Sequence, residues 1–200
     1  MSREGEIQIH DDLFAEPLRA NLIQAVSWVP VYFLNRSEFY PQSDPLDIHW
    51  YYPLAVADER YSTKEDVEPK LKELDDALTP IADAWNLIKS LVREKVTLYN
   101  CTISANSFGT EGRPHYDIEE SDLRANHVLA LVYCVPRWEL AWGGETLVFD
   151  EQGEIAAGIM PKPGRVLIIH GDPLHVGRAT SRICPNDRRV LVFKMWKRAR

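Results

Sequence analysis

Long apolar runs are missing from this 200-residue chain: none approaches the roughly 18 residues that a membrane helix needs. The opening stretch MSREGEIQIHDD carries no apolar core of signal-peptide length. Together these absences lead us to expect a soluble, cytoplasmic protein with no membrane partner. Cysteine is scarce. Cys101, Cys134 and Cys184 lie far apart with no CxxC pair, which excludes a disulfide framework and a thiolate zinc site. Each sits in or beside an apolar run, as free core thiols do. Positive charge is in deficit: 23 Lys and Arg against 30 Asp and Glu give a formal net charge of −7. A nucleic-acid binder needs a basic footprint, so that class is excluded. The basic stretch Lys194–Arg200 reads as a solubilising tail. Repeats, low-complexity segments and long Gly/Ser linkers are missing as well.

What is present suits one domain, 1–200, built around one core. A helix-rich support region covers 1–95 and a strand-rich region covers 96–200. In the first, Ile7–Ile9 alternates like a short strand, and Pro17 opens a helix to about Ser27. Val29–Leu34 and Ile48–Leu54 are aromatic-rich strands. The polar stretch Lys64–Leu78 reads as a surface helix. Next comes a strong amphipathic helix, with Thr79 as N-cap and Pro80 at the first helical position. Ile81, Ala84, Trp85, Ile88, Leu91 and Val92 form one stripe, which needs a flat apolar partner. After Val96 the pattern becomes short strands: Val96–Ser107, Val128–Val135, Glu145–Asp150, Ile155–Met160, Arg165–Ile169, His175–Arg178 and Arg189–Trp196. Helices followed by many short strands predict a mainly β protein with supporting helices. The expected architecture is a double-stranded β-helix (a cupin-like jelly roll) with the N-terminal helices packed on one sheet.

Chemistry gathers around His115-Tyr116-Asp117. On extended backbone, residues i and i+2 point to one face, so the imidazole and the carboxylate reach the same ion. His175, at a strand start after the Gly171-Asp172-Pro173 turn, is the third candidate ligand. Two imidazoles and one carboxylate on one face of a metal leave open positions, the arrangement of non-haem Fe(II) oxygenases. A 2-oxo acid that chelates such an ion needs a cation for its far carboxylate, and arginine supplies a two-pronged donor. Arg188 and Arg189 open the strand RRVLVFKMW. Alternation allows only one of them to face the pocket and does not say which.

From Tyr99 to Lys194 the chain resembles the catalytic core of the prolyl-4-hydroxylase-like Fe(II)/2-oxoglutarate dioxygenases, in a small bacterial and phage-type branch. The resemblance rests on His115-Tyr116-Asp117, Trp142-Gly143-Gly144-Glu145-Thr146, Pro161-Lys162-Pro163-Gly164-Arg165, His175 and Arg188-Arg189-Val190, in that order. It implies Fe(II), 2-oxoglutarate and O2 as cofactor and cosubstrates, with His115, Asp117 and His175 on the iron. It assigns Arg188 to the far carboxylate of 2-oxoglutarate, where many relatives have lysine, and gives Tyr99 and Asn106 supporting places beside the cosubstrate. Related halogenases lack the carboxylate ligand; its presence here implies hydroxylation of an unactivated C–H bond, or desaturation or cyclisation by the same chemistry, rather than halogenation. The expected substrate is a small molecule such as a free amino acid or related metabolite, with a prolyl peptide as the alternative. Trp50, Tyr51, Tyr52, the Ile118–Asn126 loop and Arg137-Trp138 are candidates for the pocket rim. A non-catalytic metal-binding jelly-roll sensor is the competing reading. The aromatic residues of the first half have two possible homes, the core or a homodimer interface.

Overall fold

A computed structural model describes residues 6–35, 48–58, 65–110 and 112–198. In chain order the elements are β1 (Ile7–His10), α1 (Glu16–Trp28), β2 (Tyr32–Asn35), β3 (Ile48–Val56), α2 (Glu68–Lys72), α3 (Thr79–Leu91) and β4 (Val96–Asn106). They continue with β5 (His127–Tyr133), β6 (Thr146–Phe149), β7 (Ile155–Ile159), β8 (Val166–His170), β9 (His175–Gly177) and β10 (Arg188–Lys197). The strands form two antiparallel sheets. The larger runs β1-β8-β5-β10-β4-β3-β2 and the smaller runs β7-β6-β9.

The larger sheet is apolar on both faces because each face is covered. On one face, Leu22 and Val26 of α1 and Ile81, Trp85 and Ile88 of α3 pack against Cys101, Ile103, Ala130, Ile168, Leu191 and Phe193. This is the flat partner that the α3 stripe requires. On the other face, Leu129, Leu131, Tyr133, Leu167, Val190 and Val192 meet Val148 of β6 and Ile159 of β7. The result is a mainly β jelly roll with helices on one sheet. Cys101 and Cys134 lie buried in the helix-side core, and among the described residues all three cysteines are free thiols. The described residues contain no helix long and apolar enough to cross a membrane.

Three local expectations shift. Lys64 lies outside the described residues, and the rest of the Lys64–Leu78 segment is not one helix: α2 ends at Lys72, and a 3-10 turn covers Asp76–Leu78. The Asp75 side chain accepts the N–H of Ala77, a local bond that competes with helix continuation. Thr79 is the first helical residue rather than the cap, and Pro80 follows it. β2 begins at Tyr32, three residues after Val29, because Pro30 has no N–H to give a ladder.

Candidate active site

β10 sits near the middle of the larger sheet, flanked by β4 and β5 over most of its length. Its side chains alternate. Arg189, Leu191, Phe193 and Met195 point to the helices, whereas Arg188, Val190, Val192 and Lys194 point between the sheets. Opposite them on β4 lie Asn106, Ser104, Thr102 and Asn100, and opposite the last three on β5 lie Tyr133, Leu131 and Leu129. The inner face therefore has a polar lane along β4 and an apolar wall along β5. Asn100 and Ser104 are partly exposed although β4 is an interior strand, so this lane borders open space.

The smaller sheet brings the two histidines together. His115 forms an isolated bridge with His175: the N–H of each donates to the carbonyl of the other, at 2.9 and 3.1 Å. The Nδ1 atoms of His115 and His175 lie 2.9 Å from the carbonyls of Arg113 and Pro173. A carbonyl only accepts, so Nδ1 donates, and in the neutral imidazole the lone pair is then on Nε2. Both lone pairs converge on Asp117: His115 Nε2 is 3.7 Å from its Oδ1, and His175 Nε2 is 4.0 Å from its Oδ2. Ligand atoms of all three residues lie within 4.8 Å of one another. Burial holds the His175 imidazole down to about 4, so it is neutral and ready to ligate at ordinary pH. Burial works against ionisation of Asp117, but the Lys194 charge, the His115 side chain and the charge that His175 and His127 take up in acid outweigh it and hold the carboxyl well below its usual value.

Asp117 is fixed from behind. The carboxylate of Asp172, in the left-handed region at φ 49°, accepts the backbone N–H groups of Asp117 and Ile118 at 2.9 and 2.8 Å. Aspartate tolerates that backbone conformation better than most residues. Next to it lies His127, whose Nε2 is 2.9 Å from the Tyr99 hydroxyl and whose Nδ1 is 3.8 Å from Asp172. Asp117, His127 and Asp172 are close enough to resemble a second metal cluster. Asp172 is already committed to two amides, however, so the cluster serves as backing for the first.

Arg188 is 3% exposed. Its Nε donates to the carbonyl of Gly144 at 2.6 Å, one terminal nitrogen to Asn106 Oδ1 at 3.2 Å and the other to Thr146 Oγ1 at 2.6 Å. The Tyr133 hydroxyl also lies 2.7 Å from Thr146 Oγ1. Among the described residues no carboxylate forms an ion pair with this guanidinium. Gly144 allows the approach: it sits at φ +76°, and a Cβ there would meet Trp138 Cζ2 at 2.9 Å and Arg188 Cδ at 3.2 Å. Arg189 does something different. It pairs with Asp187 and donates to the carbonyls of Val26, Ser27 and Val29 at the end of α1.

The triad fits a metal ion. Asp117 Oδ2 is buried without a hydrogen-bond partner, and the two Nε2 lone pairs face the same space. Arg188, a buried cation whose protein partners are all neutral, fits an anionic cosubstrate. Of the other residues singled out from sequence, Asn106 holds Arg188, whereas Tyr99 directs its hydroxyl to His127 and stacks on Trp196. Lys194 corrects the reading of a solubilising tail: it belongs to β10, and its Nζ contacts Asp117 Oδ1 at 2.5 Å. In the Ile118–Asn126 loop, Arg124 donates to the carbonyls of Ile118 and Glu119, which ties down its acidic start. Sequence reasoning passed over Lys194, Asp172, Thr146 and Tyr133. Two-residue periodicity from Arg188 reaches Lys194 and was the available signal.

Residues 100–196 match the model of the 2OG-Fe(II) oxygenase superfamily. That stretch carries the catalytic region of a 2OG-Fe(II) oxygenase. The protein is an oxygenase that works with Fe(II), 2-oxoglutarate and O2. No curated protein matches the sequence as a whole. The fold of this oxygenase is shared with solved structures of low sequence identity. A prolyl hydroxylase from Trichoplax adhaerens, in complex with a fragment of the hypoxia inducible factor oxygen degradation domain, aligns with a TM-score of 0.66 at 16% identity, covering 96% of this chain and 83% of that one. An oxidoreductase of the 2OG-Fe(II) oxygenase family from Burkholderia pseudomallei gives 0.67 at 13% identity, covering 96% and 85%. The non-heme alpha ketoglutarate dependent epimerase SnoN of nogalamycin biosynthesis gives 0.61 at 12% identity, covering 98% and 79%.

Proposed function

We propose that this oxygenase is a cytoplasmic enzyme that hydroxylates an unactivated C–H bond of a small polar molecule, such as a free amino acid or a related metabolite. His115, Asp117 and His175 hold the iron, and Arg188 anchors the far carboxylate of 2-oxoglutarate. When bound, the metal and cosubstrate supply the oxidising chemistry. The protein does the rest. His115 and His175 turn their Nε2 atoms toward the metal because their Nδ1 protons are held by carbonyls. Arg188 is held in place by Gly144, Asn106 and Thr146. The β5 wall of Leu129, Leu131 and Tyr133 excludes water from that side.

The observation that carries this reading is the pairing of a triad whose buried Asp117 Oδ2 has no hydrogen-bond partner with a buried arginine that forms no ion pair among the described residues. A metal sensor has no use for the arginine. The polar lane of Asn100, Ser104 and Asn106 supports a small polar substrate. The fold by itself serves the peptide-bound prolyl hydroxylase and the epimerase SnoN alike, so prolyl peptides belong in the substrate screen.

The test is succinate formation from 2-oxoglutarate by anaerobically purified, Fe(II)-loaded protein after oxygen is admitted, first without added substrate. Wild type and Arg189→Ala are expected to produce succinate. His115→Ala abolishes it, and Arg188→Ala lowers 2-oxoglutarate affinity at least about tenfold, the cost of losing a charge-assisted anchor. Silence from wild type, with no 2-oxoglutarate binding by calorimetry, would sink the proposal in favour of the sensor.

A further inference from the structure

The two oxygens of Asp117 live in different surroundings. Oδ1 is contacted by Lys194 Nζ at 2.5 Å, whereas Oδ2 is buried and has no hydrogen-bond partner. Lys194 is in no position to drift. Its backbone lies between Asn100 of β4 and Leu129 of β5, and its stem stands on the inner face of the larger sheet. Asp117 is equally restrained, because Asp172 accepts its N–H at 2.9 Å. The carboxylate is thus gripped at its backbone and at one oxygen, and only the other oxygen is free.

A dication and an ammonium group both attract a carboxylate but repel each other. When both are present the arrangement of lowest energy places them on opposite oxygens. A carboxylate with neither oxygen occupied can instead chelate one ion through both. On a six-coordinate ion that chelation would take up a fourth position, and only two would remain for a bidentate 2-oxo acid and oxygen together.

We propose that Lys194 is a positioning residue that keeps Asp117 a one-oxygen ligand, so that three coordination positions stay open on the metal. This rests on the triad being the metal site. Lys194 acts on the metal through Asp117 and need not touch the substrate. It lies six residues beyond Arg188 on the same face of one strand. A single element therefore places both the anchor of the cosubstrate and the restraint on the metal's carboxylate.

The test uses Mn(II) as probe, since water relaxation reports how many water molecules exchange on the bound ion. Mn(II) is titrated into purified wild type, Lys194→Met, Lys194→Gln and Lys194→Arg, with His115→Ala as control. Bound and free ion are separated by electron paramagnetic resonance. Lys194→Met removes the charge. Lys194→Gln also removes it and ends about one bond short, so it serves if the methionine variant does not fold. In either, relaxivity per bound ion is expected to fall by about a third, as one water of three gives way to the freed carboxylate oxygen. 2-Oxoglutarate affinity of the Mn(II) form, by calorimetry, is expected to weaken in parallel. Lys194→Arg keeps a donor on Oδ1 and retains the wild-type relaxivity. Wild-type relaxivity and 2-oxoglutarate affinity in both neutral variants would overturn the role of Lys194 while leaving the site standing. Failure of wild type to bind Mn(II), or undiminished binding by His115→Ala, would overturn the site and this inference with it.

Discussion

Asp172 carries more of the site than its distance in sequence from the proposed metal ligands suggests. Its carboxylate satisfies two buried amides, those of Asp117 and Ile118. An asparagine keeps the same backbone but offers one acceptor oxygen, and turns N–H groups toward an N–H. Leaving one buried amide unsatisfied costs about 1–3 kcal/mol. Asp172→Asn is therefore expected to lower the stability of the metal-free protein by that amount in urea denaturation. It should also weaken metal binding about 10- to 100-fold, as loss of a group supporting a ligand does. Unchanged metal affinity would show that Asp117 holds its place without this support. The grouping of His115 and Asp117 was legible from their two-residue spacing, although only His115 pairs as a strand residue and Asp117 lies at a bend. Asp172 was not legible. An aspartate between glycine and proline has the signature of an ordinary turn, and nothing local shows that its carboxylate meets amides more than fifty residues earlier.

At the scale of elements, β10 resolves what alternation alone left open. Arg188 and Arg189 were indistinguishable in sequence because both faces of β10 are apolar beyond them. The difference lies in what covers each face, which is tertiary: α1 ends over one and β6 over the other. α3 was easy to read, since its stripe follows from periodicity alone. Trp85, 1% exposed, stacks on Phe193 of β10 with ring centroids 5.4 Å apart. Trp85→Ala is expected to destabilise the protein by about 3–5 kcal/mol, measured by chemical denaturation. A loss below about 1 kcal/mol would mean that α3 contributes little to holding the sheet. The stretch before α3 was misread as one helix because its polar composition hides the competing Asp75 bond.

At the scale of the molecule, buried imidazoles make folding sensitive to acid. Burial depresses His127 from 6.5 to about 3 and His175 from 6.5 to about 4. The unfolded chain therefore takes up these protons first, and stability present above pH 6.5 is lost as the pH falls toward the folded values. Asp172 opposes this. Burial and the Asp117 charge raise it from 3.8 to about 6, so its contribution is lost as the pH rises through that window. His170 is lowered by burial as well, so the histidines outweigh the one carboxyl and leave a net loss of at least about 1 kcal/mol per pH unit near pH 5 in the metal-free protein. Urea midpoints between pH 4.5 and 7 check this, and His127→Gln is expected to flatten the dependence. An equally steep profile in that variant would place the acid sensitivity elsewhere. The His115–His175 bridge has a consequence for time as well as for energy. Its two amide hydrogens lie in each other's backbone bonds, and the side chains of the same residues converge on the space proposed for the metal ion. Any opening that frees those hydrogens to the solvent must first pull the ion's two nitrogen ligands apart. The rate at which these two amides trade hydrogen for deuterium thus becomes a clock for the residence of the ion, readable without any signal from the metal itself.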